Sequence, residues 1–240
     1  MINNEDKLSN LRKEIDKYRS LDKQQSDLLN QDIRIEHVWS SNAIEGSKLG
    51  RFEIEEIINR GVTSGGESIR DILAALDLAQ AYDYTLDLAN RDASLTQIII
   101  RDINKIVLTK SNPEWGGIYR EVEVHPAGVK FSPYAEPFDI EPKMNDLIDW
   151  SRTAKDTLHP VKYAADLHFK FVTIHPFRDG NGRTARLLMN FALAEKGYPV
   201  INIKPDKESR DDYLNILLDG QKNNDPSRFE ELVANTVKKR

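Results

Sequence analysis

Residues 6–42 scatter apolar positions through a field of Lys, Glu, Gln and Asp, with no proline and no glycine. That pattern predicts one long helix or two in succession. Gly46, after Glu45, can take the left-handed conformation that closes a helix. Residues 52–59 predict a short helix before the turn Thr63-Ser64-Gly65-Gly66. Beyond it Ile69, Ile72, Leu73, Leu76 and Ala79 fall at helical spacing and start an amphipathic helix reaching about residue 89. Another is expected over 96–108, with Ser94 as its N-cap.

Residues 111–141 break the helical period. Prolines at 113, 126, 133 and 137, glycines at 116, 117 and 128, and the alternating Val122-Glu123-Val124-His125 suit a hairpin. Pro142 is expected to open a helix to about 153, and Pro160 the next, running to 174. In the latter Val161, Ala164, Ala165, His168, Phe171, Val172 and His175 share one stripe. Residues 187–194 are apolar almost all round, as a buried central helix would be. Helices near 207–218 and 226–238 close the chain. The expected fold is all-α, a helical bundle around a central helix pair with one β-hairpin. Residues 1–49 form an N-terminal helical arm and 50–240 the core.

Composition narrows the chemistry. The 240 residues contain no cysteine, which removes thiolate nucleophiles, disulfides and cysteine-ligated zinc. With 34 Lys+Arg against 39 Asp+Glu the net charge is -5, which argues against broad nucleic-acid binding. No apolar run is long enough to span a membrane and the first 20 residues lack a signal-peptide core, so a cytoplasmic location is the expectation.

The informative segment is residues 175–186, HPFRDGNGRTAR. Gly180-Asn181-Gly182 lies between two strong helical patterns, where backbone N–H groups converge at a helix start and make an anion nest. Arg183 and Arg186 share one helical face, continued by Asn190. Two guanidinium groups beside a helix N-terminus suit a polyphosphate. Asp179 supplies a carboxylate for a magnesium ion bridging phosphates, and His175 is the plausible general base. His-Pro or Gly-Asn-Gly alone reads as a turn. A turn does not account for Asp, Asn and two arginines at this spacing.

The segment resembles, position for position, the signature of the Fic family of nucleotidyl transferases, and residues 50–235 resemble the Fic core. The resemblance implies a magnesium-dependent protein adenylyltransferase moving AMP from ATP to a Ser, Thr or Tyr hydroxyl of a protein target, with pyrophosphate leaving. The chain itself is a candidate target, and an oligomer is compatible with the family. It implies His175 as base, Asp179 as magnesium ligand, and Arg178, Gly180, Asn181, Gly182, Arg183 and Arg186 around the phosphates, Arg186 on the γ-phosphate. Phe177 would anchor the loop. Tyr213 sits where related proteins place an aromatic residue against the base. The hairpin residues Val122, Glu123, Val124 and His125 resemble the flap that docks a target segment by strand addition. Retention of both glycines favours AMP transfer over the family's phosphorylating branch.

Ser41, Glu45 and Gly46 match the family's inhibitory motif, Ser/Thr-x-x-x-Glu-Gly. Read alone they are a helix C-terminus. Beside the signature they imply a brake in which Glu45 pairs with Arg186 in place of the γ-phosphate. A nucleotide-binding regulatory module, or a Fic enzyme using another nucleotide donor, are the alternatives.

Overall fold

The computed structural model describes residues 6–10, 12–13, 23–126 and 132–239. Residues 6–10 and 12–13 are helical. Then follow α1 (Lys23–Ile44), α2 (Arg51–Arg60), α3 (Ile69–Asn90), α4 (Gln97–Leu108), α5 (Ile140–Thr157), α6 (Pro160–Ile174), α7 (Asn181–Glu195), α8 (Lys207–Asn223) and α9 (Ser227–Lys238). None of these helices is long and apolar enough to cross a membrane.

The central pair is α6 and α7, which pack together more extensively than any other two described helices. Their sequences explain this. Nearly every residue of α6 is buried, among them Val161, Ala164, Leu167, Phe171 and Ile174, and α7 buries Leu187, Leu188, Met189, Phe191 and Leu193. Each fully buried large apolar side chain is worth roughly 1.5–3 kcal/mol. Helix α3 lies on both α4 and α7, while α5 and α9 cover α6. Helix α1 packs on α3 and contributes Ile35, Val38 and Ile44 to the same core. The arm helix therefore reaches the centre of the molecule.

Several boundaries differ from the sequence expectation. The N-cap of α4 is Thr96, not Ser94, because the Thr96 hydroxyl accepts the Ile99 N–H at 3.2 Å. Helix α5 starts at Ile140, two residues before Pro142, fed by a 3-10 turn at Pro137–Asp139. Proline is tolerated in a first turn, where its missing N–H has no intrahelical acceptor. Helix α8 runs on past 218 to Asn223, through Gly220, where a side chain would meet Phe169.

The expected hairpin takes another form. Among the described residues between 111 and 141 no strand ladder forms, and the tip at 127–131 lies outside the described residues. Side chains tie the arms instead. Ser132 Oγ donates to the Val124 carbonyl at 2.8 Å, and the Arg120 guanidinium donates to the carbonyls of Val122 and Ala135. One isolated antiparallel bridge joins Tyr119 to Phe177. The excursion is thus anchored to the turn between α6 and α7, and carries a flap across the site.

Candidate active site

The turn between α6 and α7 is held by residues that bond to it from several directions. His175 closes α6 in the left-handed region at φ 53°, and its N–H donates to the Phe171 carbonyl at 3.0 Å. Phe177 is fully buried, with its ring 5.4 Å from Tyr119. The Asn181 side chain holds both main-chain polar groups of Phe177, its Oδ1 accepting the Phe177 N–H at 2.9 Å and its Nδ2 donating to the Phe177 carbonyl at 2.7 Å. Its amide is thereby engaged within the loop, so what Asn181 offers a phosphate is its backbone N–H.

Gly180 is the N-cap of α7 at φ 79°, and a Cβ there would lie 2.8 Å from Asn104 Nδ2. That closeness has a purpose. Asn104 Nδ2 donates to the Asp179 carbonyl at 3.1 Å and to Thr184 Oγ1 at 3.2 Å, while its Oδ1 accepts the Gly117 N–H at 2.9 Å. A single buried amide from α4 therefore sets the height of the phosphate loop.

His175 is bonded through one of its two ring nitrogens. Its Nδ1 lies 3.2 Å from the Val172 carbonyl, an acceptor, which places the proton on Nδ1 and leaves the Nε2 lone pair available. Burial lowers its pKa to about 4, the Val172 bond opposing and Arg120 adding to the drop. The ring is neutral at pH 7. Tyr134 of the flap stacks on it, centroids 3.8 Å apart at 19°. Arg120 bonds the same turn, Nε to the His175 carbonyl at 2.8 Å and its backbone N–H to the Pro176 carbonyl at 2.9 Å.

The first N–H groups of α7, at Asn181, Gly182 and Arg183, have no acceptor within the helix. Arg183 is buried, its Nη2 3.0 Å from Asp179 Oδ1, and its Nε has no partner among the described residues. A buried guanidinium donor left without an acceptor fits an anionic ligand. Arg178 is turned aside, its guanidinium lying 4.5 Å from the Trp115 ring centroid. Asp179 also lies 3.8 Å from the exposed Arg70. Among the described residues no group of three or more His, Asp or Glu side chains could hold a metal by itself. A lone carboxylate next to a phosphate site does fit magnesium, which takes one or two carboxylates and completes its shell from phosphates and water.

Arg186 is 3% exposed and is gripped from the arm helix. Its Nε donates to Ser41 Oγ at 2.7 Å, and its Nη2 to the Ser41 carbonyl at 2.9 Å and to Glu45 Oε1 at 2.7 Å. Ser41 and Glu45 thus act on one arginine from successive turns. Burial works against the Glu45 charge, but Arg186 and then Arg183 outweigh it and hold the carboxyl below its ordinary range. Glu45 Oε1 lies against Gly182, where any side chain would overlap it. Gly46, at φ 98°, ends the arm, and Arg210 Nε donates to the Ile44 carbonyl at 2.8 Å.

Tyr213 is placed otherwise than its expected role against a nucleotide base requires. It is 1% exposed, with no ring face open to a ligand. Its hydroxyl accepts from Arg186 Nη1 at 3.3 Å and lies 3.0 Å from His168 Nε2, so it supports Arg186 from below. Asn190, one turn past Arg186 on the same helix, holds Ile201 by both its N–H and its carbonyl. In the flap Val122, Glu123 and His125 are exposed and Val124 half-buried, and His125 Nε2 lies 3.9 Å from Glu123.

Asn104, Arg120 and Tyr134 were not singled out by sequence reasoning. Asn104 could have been, since it interrupts the stripe Ile100, Ile103, Val107 on α4, and a polar residue on an apolar face calls for a partner. Arg120 and Tyr134 lie in irregular chain, where no periodicity marks the buried positions.

A Fic/DOC family profile matches residues 94–193. The protein adenylyltransferase Fic of Nematostella vectensis is 37% identical over 183 residues, covering 75% of this chain and 42% of that protein. That of Aedes aegypti is 36% identical over 189 residues, covering 78% and 37%. The chain spans about two fifths of the length of these curated relatives. A Fic domain containing signaling protein from Bacteroides thetaiotaomicron superimposes with a TM-score of 0.84 at 30% identity, over 98% of this chain and 92% of that one. Signature turn, flap and helical core agree with these likenesses, and this chain belongs to the Fic/DOC family.

Proposed function

We propose that the chain is a protein adenylyltransferase that moves AMP from ATP to a hydroxyl side chain of a protein target, and that Glu45 restrains it. The observation that carries this reading is the unpartnered Nε of buried Arg183 beside the open N–H groups of α7, with a neutral imidazole on the same short turn. The names of the relatives point the same way.

In this mechanism His175 Nε2 takes the proton of the target hydroxyl as the oxygen attacks the α-phosphorus. The bond from that phosphorus to the oxygen bridging the β-phosphate breaks, and pyrophosphate leaves. The N–H groups at the start of α7 and the Arg183 guanidinium hold the phosphate oxygens and keep the α-phosphorus in line. Asp179 would hold magnesium, which when bound neutralises phosphate charge. A conjugate-acid pKa of about 4 makes a weak base in the free protein. The negative charge of a bound triphosphate raises it toward a useful value, as Glu45 and Asp179 already do in part.

The brake follows from the same contacts. Arg186 has its Nε and one Nη2 bond committed to Ser41, and Glu45 occupies the remaining direction over Gly182. A γ-phosphate needs that direction. While Glu45 remains, ATP seats with its outer phosphate displaced, and the α-phosphorus is out of line with the attacking hydroxyl. Main-chain pairing along the exposed flap at Val122, Glu123, Val124 and His125 would align the target segment.

The test is intact-mass measurement of AMP incorporation, into the chain and into cell-extract proteins, for the native sequence, Glu45→Gly and His175→Ala. An added AMP mass in Glu45→Gly that vanishes with His175→Ala supports the reading. Nucleotide binding without any product in Glu45→Gly would leave a regulatory nucleotide-binding module in its place, and product only with another nucleotide would reassign the donor.

A further inference from the structure

A second cavity, of about 490 Å³, opens between α5, α6 and the turn joining α8 to α9. That size is within the range of small-molecule sites, roughly 300–1,000 Å³. None of its lining residues belongs to the phosphate turn or to the arm. Its apolar wall includes Leu147, Trp150 and Phe169, and its charged groups are Lys143, Lys170, Asp146 and Asp166.

Both signs line the cavity, two exposed lysines with the exposed Asp146 and the buried Asp166. Asp166 is 7% exposed, and its Oδ1 is buried with no hydrogen-bond partner among the described residues. Its Oδ2 lies 3.2 Å from Lys162 Nζ, and the same ammonium is also bonded by Glu230. One cation between two carboxylates leaves a negative charge uncompensated. Burial pushes the Asp166 carboxyl up against the pull of Lys162, and Glu230 pushes it the same way, as expected where a second donor is missing. Lys143 and Lys170 are exposed, and Lys170 Nζ stands 5.0 Å over the Trp150 ring. A simple anion would meet both aspartates, and a simple cation would meet both lysines.

We propose that this cavity binds a zwitterionic ligand of the amino-acid class, with its ammonium on Asp166, its carboxylate toward Lys143 and Lys170, and its hydrocarbon against Leu147, Trp150 and Phe169. The cavity wall includes Thr173 and Ile174, which directly precede His175, so the ligand sits behind the helix end that presents the base.

Calorimetric titration of the full chain tests this independently of AMP transfer. The probes are L-phenylalanine, L-leucine and L-methionine, with phenethylamine and 3-phenylpropionate as the forms of phenylalanine lacking one charge. At least one amino acid binds saturably, and removing either charge weakens phenylalanine about tenfold or more, the loss of one charge-assisted contact. Asp166→Asn and the exposed Lys170→Gln each weaken binding by a similar factor while keeping the native melting temperature. The proposal is overturned by absence of binding of all three amino acids at millimolar concentration, by equal binding of either one-charge form, or by unchanged binding in a folded Lys170→Gln.

Discussion

Glu45 Oε1 and Arg186 Nη2 lie 2.7 Å apart although 141 residues of chain separate them. The carboxylate side keeps 42% of its surface exposed while the arginine side is 3% exposed, so a partly hydrated carboxylate is set on a buried guanidinium. Water screens such a pair, and its strength is that of one charge-assisted hydrogen bond, roughly 1.5–3 kcal/mol at most.

In the proposed mechanism, removing that carboxylate frees Arg186 for an outer phosphate. Glu45→Gly is expected to raise the initial rate of AMP incorporation roughly 10- to 100-fold, which is that energy expressed as a rate ratio. Glu45→Gln should raise it less, since the amide oxygen still accepts. Radiolabelled ATP and intact mass read both variants, and equal rates for the native chain and Glu45→Gly would remove the brake from the account.

His175→Ala should lower the rate roughly 10²–10⁴-fold, the usual contribution of a positioned general base. Binding of ATP should change little, because in the proposed mechanism the imidazole meets the target hydroxyl rather than the phosphates. A fluorescent nucleotide titration beside the rate assay separates the two effects.

Tyr134 covers His175 face to face, and burial is the largest reason that imidazole titrates near 4. Tyr134→Ala should expose the ring and move the acid limb of the free-enzyme pH–rate profile up toward 6.5. Tyr134→Phe keeps the stack and should keep the profile. A limb at the same pH in native and Tyr134→Ala protein would separate the stack from the titration.

Asn104→Ala removes three hydrogen bonds and leaves the Asp179 carbonyl and the Gly117 N–H without their side-chain partner. A loss of roughly 1–3 kcal/mol in urea unfolding is expected, together with reduced AMP transfer in the Glu45→Gly background. Full stability and full transfer in Asn104→Ala would show that the loop sets its own height.

Burial lowers His37, His168 and His175 to about 4, about 3 and about 4. The unfolded chain takes up protons at these sites near 6.5 and the folded chain does not, so stability falls as pH drops below 6.5. Between pH 6.5 and 5.5 each costs about 1 kcal/mol, and the raised Asp166 carboxyl offsets part of it by binding a proton in the fold. A net loss of about 2–3 kcal/mol in urea unfolding is expected over that unit. The Glu45 carboxyl, held low, contributes stability that is present above its ordinary value near 4.5 and is lost only as pH falls through its lowered one. Mild acid is therefore expected to leave the Glu45–Arg186 pair intact.

What could be read from the sequence was whatever depends on neighbours along the chain. The period of Val161, Ala164, His168, Phe171 and Val172 gives a helix with a buried face, Pro160 gives its start, and twelve consecutive residues carry base, carboxylate and anion nest. Spacing also puts Ser41 and Glu45 on one face. Which group that face meets is a different question, because a helix period fixes the direction of a side chain but not what lies across the gap. Only the packing of α1 on α3 and α7 brings Arg186 to Ser41 and Glu45. The packing also turned Tyr213 beneath Arg186, put Asn104 under the phosphate loop, and laid Tyr134 on His175. Those partners come from irregular chain or distant helices, and no local pattern encodes a contact whose two halves are placed by separate elements.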